Sequence, residues 1–167
     1  ESLSPYAVTK HINELYARVF GRCYGFPWIA LRYFNVFGPR QDPNGAYAAV
    51  IPRWTHALVE GREVLIHGDG ETSRDFCFVA NTVQANLRAA LVEQAEAVRR
   101  VYNVAVGDRT TLNQLYGILR DLVSERYPDR AGAKAAHGPF REGDVRHSLA
   151  DIERATTLLG YEPTHRL

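Results

Sequence analysis

The chain has 167 residues, enough for one domain with a real core, and its 46% hydrophobic and 23% charged residues are ordinary for a soluble globular protein. A formal net charge of +1 with no block of like charge argues against nucleic acid or an anionic membrane surface as partner, and no apolar run is long enough to span a bilayer. Two cysteines, Cys23 and Cys77, give neither a disulfide framework nor metal-ligand spacing, so no metal site is expected and a cytoplasmic location fits best. There is no methionine, even at position 1, and the chain reads as a piece of a longer protein.

Ser4 can cap a helix and Pro5 suits its first turn, where a missing N–H is harmless. Val8, Ile12, Leu15 and Val19 then follow helical spacing in one apolar stripe, and Gly21 and Gly25 close the helix. WIALRYF (28–34) reads as a strand buried on both faces, and GPRQDPNG as a loop. Residues 48–60 read as a helix with Val50, Trp54 and Leu58 on one face and Gly61 as its stop. EVLIHG and FCFV are short strands flanking the loop GDGETSRD, and Asn81 can cap a helix reaching about Gln94. VYNVAV (101–106) is a second buried-type strand. GDRT leads into a helix over 112–127, with Leu112, Leu115, Leu119 and Leu122 as its core face. Residues 128–144 read as loop, and Ser148 with Asp151 resembles a capping box opening a last helix that ends at Gly160.

Strands alternating with helices make the class α/β. A parallel sheet of two or three strands is poorly protected at its edges, so part of the sheet is expected elsewhere. Tyr6 and Lys10 stand at i and i+4 on one helix face. A free tyrosine titrates near pH 10, but an ammonium one turn away and a helix N-terminus both favour its phenolate, which suits a general base. A half-buried tyrosine beside a solvated lysine is the bland alternative.

SPYAVTK, LRYFNVFGPRQ, GDGETSRDF, VYNVAVGDRTTL and FREGDVRHSLADIERATTLLGYEP, in this order and spacing, resemble the extended short-chain dehydrogenase/reductase family. Within it the chain is similar to the nucleotide-sugar 4-epimerases, especially the bacterial UDP-N-acetylglucosamine 4-epimerases. The resemblance implies the second half of an NAD-binding Rossmann fold (1–47, interleaved with 76–106) plus most of a small C-terminal substrate-binding domain (48–75 and 107–167). It implies Tyr6 as catalytic base and Lys10 as holder of the nicotinamide ribose, with Tyr33 near the nicotinamide. Asn35 would meet the substrate's diphosphate side and Gln41 the sugar, while Ala49, Val50 and Trp54 line the uridine. Arg74 and Arg141 would clamp the diphosphate, Asp144 would hold the ribose, and Ser148 would lie near the sugar.

Taken alone, several of these residues have structural readings. Arg74 could equally pair with Asp75 or another loop carboxylate, Asn35 could be a turn residue, and Trp54 could be core. Asp108 and Arg109 read as turn and capping residues. The family's Gly-rich NAD turn has no counterpart in this sequence, and GDGE lacks the GxGxxG spacing.

The implied reaction is NAD-dependent inversion at C4 of a UDP-N-acetylhexosamine, or its uronate, through a 4-keto intermediate in the intact parent, with this chain inactive alone. The resemblance also implies a homodimer through the helix starting near Pro5. A dehydratase or decarboxylase of the same family, or a non-catalytic truncated domain, are the alternatives.

Overall fold

The computed structural model describes residues 5–45 and 48–167, so the expected cap Ser4 lies outside the described residues. In chain order the elements are α1 (Pro5–Tyr24), β1 (Ile29–Tyr33), β2 (Asn35–Phe37), α2 (Val50–Val59), β3 (Leu65–His67), β4 (Ser73–Arg74), β5 (Phe76–Phe78), α3 (Val79–Leu91), β6 (Arg100–Val104), β7 (Thr110–Thr111), α4 (Leu112–Arg126), β8 (Ala136–Gly138) and α5 (Glu153–Leu159). The fold is α/β. The chain forms two compact units: Glu1–Val36, Cys77–Asp108 and Ala150–Leu167 in the first, Phe37–Phe76 and Arg109–Leu149 in the second.

In the first unit, β1 and β6 pair in parallel, with Ile29 opposite Arg100 and Tyr33 opposite Val104. α1 runs through Gly21 and stops at Gly25, whose φ of 67° is the left-handed conformation that ends helices. Gly21 does not terminate α1. It is buried, and a Cβ there would fall 2.5 Å from Trp28 Nε1. The stretch read as a strand buried on both faces is half-buried over Ile29–Leu31 and exposed at Arg32 and Tyr33. Among the described residues β6 is the one strand paired with β1, so the other edge of β1 has no strand beside it.

The core of this unit joins Cys77 and Ala85 to Tyr102, Val104, Ala155 and Tyr161. Its two buried phenols are satisfied by carbonyls, Tyr102 by Ala97 at 2.6 Å and Tyr161 by Ala105 at 2.7 Å. The last eighteen residues, grouped with the second subdomain on sequence, pack here because Ala155, Leu159 and Tyr161 complete this core.

Asn81 is not a helix cap. α3 begins two residues earlier at Val79, and the Asn81 side chain is wholly buried. It donates to the His165 carbonyl at 2.7 Å and accepts from the Thr164 and His165 amides at 3.0 and 3.1 Å. Nor do Ser148 and Asp151 form the predicted capping box. α5 begins at Glu153, whose amide donates to Asp151 Oδ1 at 2.9 Å. Gly160, at φ 63°, ends it as expected.

The second unit packs α2 on α4. Trp54 and Leu58 meet Leu115 and Leu119 over Val64 and Ile66. Leu122, expected in this core, is 58% exposed, and Val123 is buried instead, because the apolar stripe of α4 turns by one position at its last turn. The α4 N-terminus is closed by a capping box in which Thr111 accepts from the Gln114 amide and the Gln114 side chain accepts from the Thr111 amide. β3 pairs in parallel with β8, within the stretch read as loop, and the expected loop GDGETSRD contains β4, antiparallel to β7.

Candidate functional site

The first unit presents one group of sequence-expected residues. Tyr6 and Lys10 lie on the first two turns of α1, with the Lys10 Nζ 5.1 Å from the centre of the Tyr6 ring. This is a cation–π contact, and Tyr6 is 70% exposed, so the phenol is accessible. One turn further, Glu14 is buried and receives both arms of the Arg32 guanidinium, from Nε at 2.5 Å and Nη2 at 2.7 Å. The hydrogen bonds from Arg32 hold the Glu14 carboxyl below its ordinary range, against the opposing pull of burial. The same bonds push Arg32 up.

Tyr33, at the carboxyl end of β1, donates its hydroxyl to Asn86 Oδ1 at 2.9 Å, and Asn86 in turn donates to the Thr82 carbonyl at 2.7 Å. Asn35 is exposed in β2.

The second unit gathers another group. Arg74 is mostly buried and donates to Asp144 Oδ1 at 2.5 Å, to its neighbour's carbonyl at Ser73 at 2.8 Å and to the Arg146 carbonyl at 3.4 Å. Its partner is therefore a loop carboxylate, Asp144, one of the readings open on sequence. Ser73, almost fully buried, donates its amide to the Arg146 carbonyl and accepts from the Ser148 amide, and its hydroxyl lies 2.9 Å from His147 Nδ1. Arg146 pairs with Asp69 at 2.6 Å and lies over the Phe140 ring at 5.4 Å, and this pairing depresses the Asp69 carboxyl. Loop 68–74 and segment 140–148 are thus one hydrogen-bonded scaffold holding Arg74, Asp144 and Ser148. Arg141 stands exposed on it.

The remaining expected contacts of this unit sit around α2. Ala49 is its exposed N-cap, Val50 is half-buried, and Trp54 is 8% exposed with its ring edge-on to Tyr116. Gln41 is exposed, its Oε1 accepting from the Gly38 amide at 3.2 Å. Glu14, Arg32, Asn86, Asp69, Arg146, Ser73 and His147 were not singled out on sequence. A signal was available for Glu14 alone, which continues the i, i+4 series of Tyr6 and Lys10. The others depend on contacts across tens of residues. Among the described residues no His, Cys, Asp and Glu group could hold a metal ion, and no helix is long and apolar enough to cross a membrane.

The NAD dependent epimerase/dehydratase family matches residues 1–105. The chain belongs to that family. A curated relative, the UDP-glucose 4-epimerase of Mycolicibacterium smegmatis, is 36% identical over 96% of this chain and 48% of its own length. The crystal structure of a UDP-glucose 4-epimerase from Thermotoga maritima with UDP-glucose matches with TM-score 0.87 and 39% identity, over 96% of this chain and 48% of that one. The UDP-N-acetylglucosamine 4-epimerase of Methanobrevibacter ruminantium, in complex with UDP-N-acetylmuramic acid, matches with TM-score 0.83, 41% identity and the same coverage. A Thermus thermophilus UDP-glucose 4-epimerase in complex with NAD matches with TM-score 0.79 and 30% identity, over 98% of this chain and 50% of that one. The chain therefore spans about half the length of the relatives it matches.

Proposed function

We propose that this chain is the portion of a nucleotide-sugar 4-epimerase that supplies the acid–base pair and the nucleotide-sugar contacts, acting on a UDP-N-acetylhexosamine or its uronate. The observation that carries the reading is the Tyr6–Lys10 contact on the exposed first turns of α1, in a chain of the epimerase/dehydratase family. Tyr6 accepts the proton of the sugar's 4-hydroxyl as C4 becomes a ketone, and returns a proton when C4 is reduced from its other face. Lys10 holds positive charge at the Tyr6 ring and offers ammonium donors to the cofactor's ribose hydroxyls. The second unit supplies Arg74 and Arg141 for the diphosphate, Asp144 for the nucleotide ribose, and Gln41 and Ser148 for the sugar. An arginine fork suits phosphate oxygens, and Arg74 is already oriented by Asp144 and two carbonyls, so little freedom is lost on binding.

NAD, when bound, supplies the reversible two-electron acceptance at C4. The residues present fit its nicotinamide-ribose end: an exposed Lys10 and a hydrogen-bonded Tyr33 hydroxyl are suitable groups. Its pyrophosphate calls for a Gly-rich turn, which the 167 residues do not include, so the reading makes this chain inactive without the rest of the fold. The exposed stripe of Val8, Ile12, Leu15 and Val19 supports α1 as a homodimer surface.

The test is Tyr6→Phe in the full-length protein that carries this chain, assayed with UDP-N-acetylglucosamine and UDP-glucose. Interconversion should fall by about a hundredfold or more while calorimetry shows UDP-sugar binding unchanged. Unchanged turnover would sink the assignment, and a preference for UDP-glucose would correct the sugar.

A further inference from the structure

Tyr6, Lys10 and Glu14 are spaced i, i+4, i+8, so they share one face of α1. That face also contains Gly21. Glu14 and Gly21 are the two buried residues among those described in this helix, whereas Val8, Ile12, Leu15 and Val19 are exposed on the other side. α1 is therefore attached to its unit at two points. Gly21 lies against Trp28, just before β1, and Glu14 is bonded to Arg32, one residue from the end of β1.

The earlier helix residue meets the later strand residue, so α1 runs antiparallel to β1. Tyr6 lies eight residues before Glu14, about 12 Å along the helix. Only Tyr33 of β1 follows Arg32, about 3 Å of strand. The Tyr6–Lys10 end of α1 thus overhangs the carboxyl edge of the β1–β6 pair, the edge at which open α/β sheets hold ligands.

Glu14 also stands one turn from Lys10, a spacing at which the two charges can pair on a helix, although lysine before glutamate is the weaker order. Here it does not take the lysine. Arg32 occupies both carboxylate oxygens, and the Lys10 ammonium rests on the Tyr6 ring. Without Arg32, a buried and unpaired carboxylate would draw on the cations of its own helix, Lys10 and Arg18 one turn to either side, with His11 also acting on it.

We propose that Arg32 and Glu14 are positioning residues for the acid–base pair. Glu14 turns the Tyr6–Lys10 face toward the carboxyl edge, and Arg32, by saturating Glu14, keeps Lys10 with Tyr6. The proposal rests on the functional reading of Tyr6 and Lys10 given above. It makes an asymmetric statement that a simple strut would not. Losing Arg32 should be worse for chemistry than losing the Glu14 charge, and removing that charge should rescue the loss of Arg32.

The test uses Arg32→Gln, Glu14→Gln and the double variant, with two readouts. In the full-length protein, Arg32→Gln should lower kcat by about a hundredfold, corrected for folded fraction, with KM for UDP-sugar nearly unchanged. Glu14→Gln and the double variant should remain within roughly threefold of each other and well above Arg32→Gln. In this chain by itself, proton NMR should show the Lys10 ε-methylene shifted upfield by the Tyr6 ring. That shift should be lost in Arg32→Gln and regained in the double variant.

Arg32→Gln with the ring shift intact, or with kcat no lower than in Glu14→Gln, overturns the proposal. Rescue of folded fraction without rescue of kcat overturns it as well. If the unaltered full-length protein turns over no UDP-sugar, the functional reading fails, and the NMR series still decides whether Arg32 keeps Lys10 on Tyr6.

Discussion

Tyr116→Phe should make this protein more stable. Tyr116 lies in α4, 8% exposed, with its ring edge-on to Trp54 at 6.3 Å between centres. Its hydroxyl is buried and has no hydrogen-bond partner among the described residues. A buried hydroxyl without a partner carries a desolvation penalty of about 1–3 kcal/mol. Phenylalanine keeps the ring and its contact with Trp54. The void left by one oxygen, roughly 10 Å³, costs about 0.2 kcal/mol at the usual rate for cavities. The net gain is then about 0.8–2.8 kcal/mol, and each kcal/mol raises Tm by about 2–4 °C in a chain of this size.

Urea and thermal unfolding at pH 7, followed by circular dichroism, measure the difference. The pH dependence gives a second check. Burial pushes the Tyr116 phenol above its ordinary value of 10.0, so the folded state holds the proton more tightly than the unfolded chain does. The wild type therefore loses stability as pH rises from about 10 toward the raised value, and the variant lacks that loss, so the gap should widen above pH 10. A variant equal to or less stable than the wild type at pH 7 would refute the reasoning, because it would mean that the hydroxyl has a partner.

Glu14→Gln should destabilise the chain at pH 7. Since Arg32, with His11 and Arg18 adding smaller contributions, holds the Glu14 carboxyl below 4.5, the difference from wild type should shrink as acid protonates it, which parallel melts from pH 7 to pH 3 will show. Leu58→Ala removes a side chain that is 1% exposed between α2 and α4 and should cost about 2–5 kcal/mol in urea unfolding. Gly70→Ala should be destabilising by more than 1 kcal/mol, roughly, since φ is 77° and a Cβ would fall 2.0 Å from Asn113 Oδ1; thermal unfolding checks it.

Much of the architecture is written in local pattern. Apolar spacing marks α1, α2 and α4, and Gly25, Gly61 and Gly160 mark chain reversals with positive φ. What was illegible depends on distant partners. Gly21 resembles a stop, yet it is small because Trp28 lies against it. Asn81 has the chemistry of a cap, but its hydrogen bonds go to residues 83 and 84 positions away. The short strands β4 and β8 have no periodicity of their own and exist through pairing with β7 and β3.

The candidate site divides the same way. The Tyr6–Lys10 contact follows from helical spacing, whereas the Arg74–Asp144 ion pair requires a loop to return after 70 residues. Arg32 lies inside LRYFNVFGPRQ, but its use depends on a buried Glu14 in the preceding helix, which no local pattern shows.

The Asn81 amide has a consequence for where this polypeptide can be cut. Three hydrogen bonds from a fully buried side chain end on the backbone of Thr164 and His165, beyond the last helix. A truncation after Tyr161 would look harmless by helix content and by the hydrophobic core, both of which it leaves intact. It would remove all three hydrogen bonds of the Asn81 side chain and leave water to replace them. The residues beyond the last helix are thus fastened to the unit by a polar side chain near the start of α3, and a cut before residue 165 should lower stability.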